Sequence, residues 1–120
     1  MDPNKDQWQE ILNVVKKKRH FVFFDSAYLG FGSEDMDDDT YSLKLFSCQY
    51  HRIMLAASSS KNMGLYGERT GLISMVTTNT AEKDKMQTIL KDTVLPFYSN
   101  PPIHGAKIFT TILEKPELRA

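Results

Sequence analysis

A single cysteine, Cys48, stands in the 120 residues. One thiol closes no internal disulfide, so the chain is not a disulfide-stapled scaffold, and a reducing setting suits it. Net charge is also missing. Fifteen basic and fifteen acidic residues cancel, so no overall field draws the chain toward nucleic acid or an anionic membrane surface. No apolar run is long enough to cross a bilayer. The first residues form neither an apolar signal core nor an Arg- and Ser-rich amphipathic transit pattern, so this stretch shows no targeting address. Repeats and low-complexity linkers are absent too. What is present, 41% hydrophobic and 25% charged residues, is the make-up of one α/β domain with a modest core.

Periodicity predicts the elements. Trp8, Ile11, Leu12 and Val15 recur at helical spacing, with Asn4 as N-cap, Gln7 three residues on, and the basic end Lys16 to Arg19 at the negative pole of the helix dipole. That basic run reads as a solvated helix end: no aromatic residues interleave it, and no nucleic-acid partner is expected. "FVFF", Phe21 to Phe24, reads as an interior strand buried on both faces, ending at Asp25. A helix over 40–50 with Cys48 as a small buried hydrophobe, and a strand over 52–58, complete a crossover unit. A third strand is expected over 71–79, with its direction open and a tight antiparallel return allowed. Thr80 is expected to cap a long helix bearing Met86, Ile89, Leu90, Thr93 and Phe97 on one side. "NPP" at 100–102 breaks it before a last helix over 103–113.

The chemistry concentrates at two strand ends. Ligands of open α/β sheets settle beyond the carboxyl ends of the strands, where Asp25 and the Ser58 to Lys61 segment both fall. Taken singly, Asp25 is an ordinary turn acid and Lys61 an ordinary surface lysine. Their setting says more. An acid at the edge of an apolar layer needs a cationic partner. In "SSSKNMGLYGERTG", Ser58 to Gly71, hydroxyls and the Arg69 guanidinium make a phosphate cradle around a lysine, and Gly64, Gly67 and Gly71 let the backbone turn tightly. It is not a nucleotide-binding loop of the Gly-Lys-Ser/Thr kind, since Lys61 lies between Ser60 and Asn62. Phosphate anchor, nucleophilic lysine and an acid for a ring nitrogen together form the set that holds pyridoxal 5'-phosphate as an imine.

"FFDSAYLGF", "SSSKNMGLYGERTG" and "YSNPPIHGAK" resemble, in order and interval, the aspartate aminotransferases among the fold-type I pyridoxal-phosphate enzymes, over nearly the whole chain. "KNMGLYGER" and "YSNPP" look closer to the mitochondrial form, with a cytoplasmic form as the alternative. The resemblance implies an α/β fold: a portion of the large, cofactor-binding domain with three adjacent strands, the last antiparallel, flanked by helices and with open sheet edges. Residue by residue, it implies Lys61 as the catalytic lysine that binds the cofactor and moves the proton. It implies Asp25 on the pyridine nitrogen, Tyr28 on the ring's phenolic oxygen, and Ser58 and Arg69 on the phosphate. Ser60 falls where related forms carry serine or alanine and is assigned no role. The implied partners are an amino acid, a 2-oxo acid and, for a complete chain, a second identical subunit.

Two departures accompany the resemblance. The arginine that grips the distal carboxylate of aspartate or glutamate is replaced by Leu95, which puts dicarboxylate preference in question. The upstream phosphate loop, the ring-stacking aromatic, the partner subunit's tyrosine and the arginine for the α-carboxylate fall outside these 120 residues. A catalytically silent fragment or pseudo-enzyme acting through association is therefore the rival expectation. The acidic run "EDMDDD", Glu34 to Asp39, has the density of a calcium loop but lacks its glycine and closing glutamate, and reads as a solvated loop. His20, His51 and His104 show no metal spacing and read as surface or packing residues; no metal is expected.

Overall fold

The computed structural model describes residues 2–33 and 35–118. Helix α1, Lys5–Lys18, opens on the expected capping box: the Asn4 side chain accepts from the Gln7 amide, and the Gln7 side chain accepts from the Asn4 amide, both at 2.9 Å. Two of the helix's orphan donors are thereby satisfied. Its other end closes on Arg19 in the left-handed region. The carbonyls exposed there are taken up by side chains from the far side of the fold, Tyr50 Oη on the His20 carbonyl at 2.6 Å and the Arg52 guanidinium on the Arg19 carbonyl at 2.7 Å.

Strand β1 covers Val22–Ser26, α3 covers Tyr41–Gln49 and β2 covers Ile53–Ser58, with the short helix α2, Met36–Asp39, before α3. β1 and β2 run parallel, Val22 opposite Ile53 and Asp25 opposite Ala56. β3, Gly71–Met75, returns antiparallel to β2, with Ser58 opposite Gly71 and Met54 opposite Met75. The order β1-β2-β3 makes β2 the central strand. The antiparallel return depends on a glycine: a β-carbon at Gly71 would lie 2.8 Å from the Ala57 carbonyl oxygen, inside contact distance. Helix α4, Thr80–Tyr98, and helix α5, His104–Glu114, follow, with a 3-10 turn at Pro116–Leu118.

The core sits between one face of the sheet and helices α1 and α3. Leu12, Phe46 and Ile53 are fully buried, with Trp8, Val15, Val22, Phe24, Leu45, Tyr50 and Val76 packed around them. Phe46 is the keystone: Trp8 and Phe24 both meet its ring edge-to-face, at centroid distances of 6.1 and 5.3 Å. It joins α1, α3 and β1 in one contact set.

Several expectations need correction. Among the described residues β1 stands at the edge of the sheet rather than inside it, and its second face is open, with Phe23 57% exposed. A continuous apolar run reports only that both faces suit burial; no described element covers this one. Cys48 is exposed, because α3 turns Phe46 inward and carries Cys48 to the solvent side. Asn79, not Thr80, caps α4, its side chain accepting from the Glu82 amide. On α4 the half-buried stripe is Met86, Leu90 and Val94, while Ile89 and Phe97 face outward. The third strand ends at Met75 rather than at Asn79.

The acidic run is built structure rather than a solvated loop, apart from Glu34, which lies outside the described residues. Asp35 caps α2, while Asp37 and Asp38 pair with Lys44 and Lys5. Asp39 accepts from the amides of Gly30, Gly32 and Ser33 and from the Ser33 hydroxyl, all at 2.8 to 2.9 Å. These donors, the Gly32 amide foremost and then the Ser33 hydroxyl, hold its carboxyl below the ordinary aspartate value of 3.8. One carboxylate thus closes the turn that follows Tyr28.

Phe46→Ala is expected to destabilise the fold by about 3 to 5 kcal/mol, read from the urea midpoint at unchanged slope. For Asp39 the folded value is depressed, so its contribution is present above the ordinary aspartate range and lost as pH falls through the lower folded value. Amide exchange at Gly30, Gly32 and Ser33 should therefore accelerate over the intrinsic rate below pH about 3.8 and, in Asp39→Asn, at neutral pH as well.

Candidate functional site

Because β1 and β2 are parallel and β3 begins beside the end of β2, three chain segments meet at one end of the sheet. Asp25 belongs to the last two residues of β1, Ser58 ends β2, and Arg69 and Thr70 lead into Gly71. Asp25, Ser58, Ser60, Arg69 and Thr70 line one cleft of about 310 Å3, floored by Ala56, Ala57 and Leu72. A second cleft of about 600 Å3 shares Asp25 and adds Tyr28, Ser33 and Asp39. The Lys61 ammonium stands over the Tyr28 ring, 5.6 Å from its centroid. Asp25 and Arg69 therefore face one space, while Lys61 and Tyr28 pair beside it.

Local hydrogen bonding sets what each group has left to offer. The Ser58 hydroxyl accepts from the Ser60 amide at 3.2 Å, which keeps its own proton available for donation. Ser59 and Ser60 are buried, and the Ser59 amide donates to the Thr70 carbonyl at 3.0 Å, so the serine segment and the arginine segment are laced together. The loop between them tightens through the Gly64 amide on the Lys61 carbonyl and the Leu65 amide on the Ser59 carbonyl, at 3.2 and 3.3 Å. Arg69 is in the left-handed region, φ 52, and donates to the Tyr66 carbonyl at 3.1 Å. The rest of its donor fork is uncommitted within the described residues.

Asp25 is exposed and forms no ion pair among the described residues. The cation expected beside it is thus not supplied by these residues; at an exposed strand end its carboxylate keeps water instead. Asn62, next to Lys61, has its side-chain oxygen buried without a donor among the described residues. Two residues that line the small cleft were assigned no role from sequence, Ser60 and Thr70. The third serine of "SSSK" and the hydroxyl directly after Arg69 were the available signals. No group of His, Cys, Asp and Glu suited to a metal ion occurs among the described residues, and no helix there is long and apolar enough to cross a membrane.

In chemical terms, this space offers a guanidinium, hydroxyl donors and a carboxylate, while the Lys61 amine lines neither cleft and stands over Tyr28 of the neighbouring one. Comparison with known proteins gives the same bearing. The family model described as aminotransferase class I and II matches residues 1–120. The mitochondrial aspartate aminotransferase of Arabidopsis thaliana is 43% identical over 120 residues, covering 100% of this chain and 28% of that protein. The crystal structure of the broad specificity aminotransferase from Leishmania mexicana superposes with a TM-score of 0.95 at 39% identity, over 99% of this chain and 30% of that one. The aromatic-amino-acid aminotransferase from Burkholderia pseudomallei, solved covalently bound to pyridoxal phosphate, gives 0.92 at 38% identity over 99% and 30%. The chain spans less than a third of the length of the relatives it matches. The family match over the whole chain and the shared fold agree: the chain belongs to the class I and II aminotransferases.

Proposed function

We propose that this chain is part of the large, cofactor-binding domain of a pyridoxal-5'-phosphate-dependent aminotransferase, which moves an amino group between an amino acid and a 2-oxo acid. The observation that carries the reading is the shared cleft lined by Asp25, Ser58, Ser60 and Arg69; Lys61 lines neither cleft but stands over the ring of Tyr28, which lines the neighbouring one. The donor set fits the group. A guanidinium fork and hydroxyl protons match a phosphate dianion, and a carboxylate matches a protonated ring nitrogen. A relative solved with pyridoxal phosphate shares the fold.

The cofactor, when bound, supplies a reactive aldehyde and an electron-withdrawing ring. The chain's own residues do the rest. Arg69 and the Ser58 hydroxyl bind the phosphate; Ser60 and Thr70 finish that wall. Asp25 holds a proton on the ring nitrogen by charge. The Tyr28 hydroxyl donates to the ring's phenolic oxygen. The Lys61 amine would hold the cofactor at its aldehyde carbon and, in its neutral form, would take and return the substrate's α-proton. Asp39, by closing the turn after Tyr28, limits where that phenol can point. A homodimer is the proposed assembly and the mitochondrion the proposed compartment, both on the strength of the relatives' likeness.

Leu95 bears on the substrate. It is 61% exposed on α4 and offers only an alkyl surface. Where the resemblance implies a carboxylate-gripping arginine, this residue favours amino acids with uncharged side chains over aspartate and glutamate. The short span relative to the matched proteins keeps a second reading in play, a silent chain acting through association.

Adding pyridoxal phosphate to the full-length chain as its gene encodes it should raise a visible absorbance band that Lys61→Ala lacks. Persistence of the band in that variant would remove Lys61 from its role. Amino transfer by the 120-residue chain itself, assayed with aspartate and with a monocarboxylic amino acid, separates the two readings: turnover eliminates the silent one. In the full-length chain, Leu95→Arg is expected to raise kcat/KM for aspartate by about tenfold or more, as one regained charge-assisted contact predicts.

A further inference from the structure

Arg69 adopts a backbone conformation that a non-glycine residue holds only when its surroundings impose it. Its own guanidinium contact with Tyr66 lies within the same turn. The external grip comes from the first turn of α5. Gly105 is buried there, and a β-carbon on it would lie 1.9 Å from Thr70 Oγ1, 2.8 Å from Glu68 Cβ and 3.1 Å from Thr70 Cβ. Immediately before it, His104 Nδ1 is 2.8 Å from the Glu68 carboxylate. The two residues that flank Arg69 are therefore both held by residues 104 and 105, far along the chain.

We infer that Gly105, assisted by the His104–Glu68 pair, is a positioning residue for Arg69: the bare backbone at the start of α5 seats Glu68 and Thr70 so that the guanidinium between them lines the cleft. The inference rests on the phosphate-anchoring reading of Arg69 given above. Of the two contacts the steric one dominates. His104 is 74% exposed and Glu68 36% exposed at the side chain, a setting in which an ion pair contributes little. The glycine contact admits no such dilution, because 1.9 Å is far inside any allowed separation and Thr70 is anchored on its other side by the Ser59 amide. A side chain at position 105 forces the 68–70 turn and the start of α5 to shift against each other, which disturbs the seat of Arg69. Neither His104 nor Gly105 lines the cleft, so their effect acts through the turn they hold, Arg69 and the Thr70 hydroxyl beside it.

The test uses the full-length chain and two probes that differ only in the phosphate, pyridoxal 5'-phosphate and pyridoxal. Gly105→Ala is expected to weaken pyridoxal 5'-phosphate by about tenfold or more while leaving pyridoxal unchanged, the size expected of a sub-ångström misplacement of one binding group. Inorganic phosphate should lose its power to compete in parallel. Glu68→Ala should show the same selectivity at about two- to fivefold, with Glu68→Gln, which keeps a hydrogen bond to His104, restoring most of it. Equal weakening of both probes would mean general damage and overturn the inference, as would no change in either. Should Gly105→Ala fail to fold, the Glu68 pair of variants decides by the same selectivity. If the unaltered chain prefers pyridoxal 5'-phosphate to pyridoxal by nothing, the phosphate reading itself falls and takes this one with it; a preference present in the parent and kept in all variants rejects the positioning role alone.

Discussion

Everything at the cleft follows from the two unlike partnerships of β2. A parallel neighbour on one side puts the ends of β1 and β2 together; an antiparallel neighbour on the other brings the start of β3 to the same end. Carboxyl ends of parallel strands and the amino end of an antiparallel one then share a rim. Residues far apart in sequence, Asp25, Ser58 and Arg69, become neighbours without any side chain having to reach. The arrangement tolerates little at Gly71, where the strand backbones approach too closely for a side chain.

Helices α1 and α3 cover only one face of that sheet. Phe46 ties both helices to β1, and the capping box of α1 fixes where its apolar stripe begins. The opposite face keeps Phe23 exposed, β3 keeps Leu72 and Ile73 exposed, and α4 carries Leu95, Phe97 and Tyr98 outward. Apolar surface of this extent has the character of a contact surface. The matched relatives, more than three times as long, have chain to spare for such contacts.

How much was legible depended on how local each determinant is. Asn4 and Gln7 announce the start of α1 because a cap involves four consecutive residues. The strand "FVFF" was legible as a strand, yet its burial was not, since burial belongs to whatever packs on it. Direction was closed to periodicity for β3, since alternation is the same read either way; the family resemblance implied the antiparallel return, and the pairing of Ser58 with Gly71 and Met54 with Met75 shows it. Cys48 was misjudged on a helix apolar on several sides, where Leu43, Leu45, Phe46 and Cys48 offer no single stripe. Asp39 was invisible because its value lies in a ring of amides closed only once the chain turns at Gly30 and Gly32. At the candidate site the strand-end positions were legible: Asp25, Ser58 and Arg69 line one cleft, while Lys61, outside it, lies over Tyr28. Position 60 was passed over because a serine hydroxyl gives no sign in sequence of which way it faces.

The lone thiol has a consequence of a different order. Cys48 projects to solvent from α3; the helix's first residues, Tyr41 and Ser42, line the larger cleft, but Cys48 lines neither cleft. With no second sulfhydryl in these 120 residues, a thiol-directed electrophile finds a single address in them, so a fluorophore or spin label attached there would ride on a helix. The molecule thus carries its own attachment point for distance measurements to any group that enters the cleft.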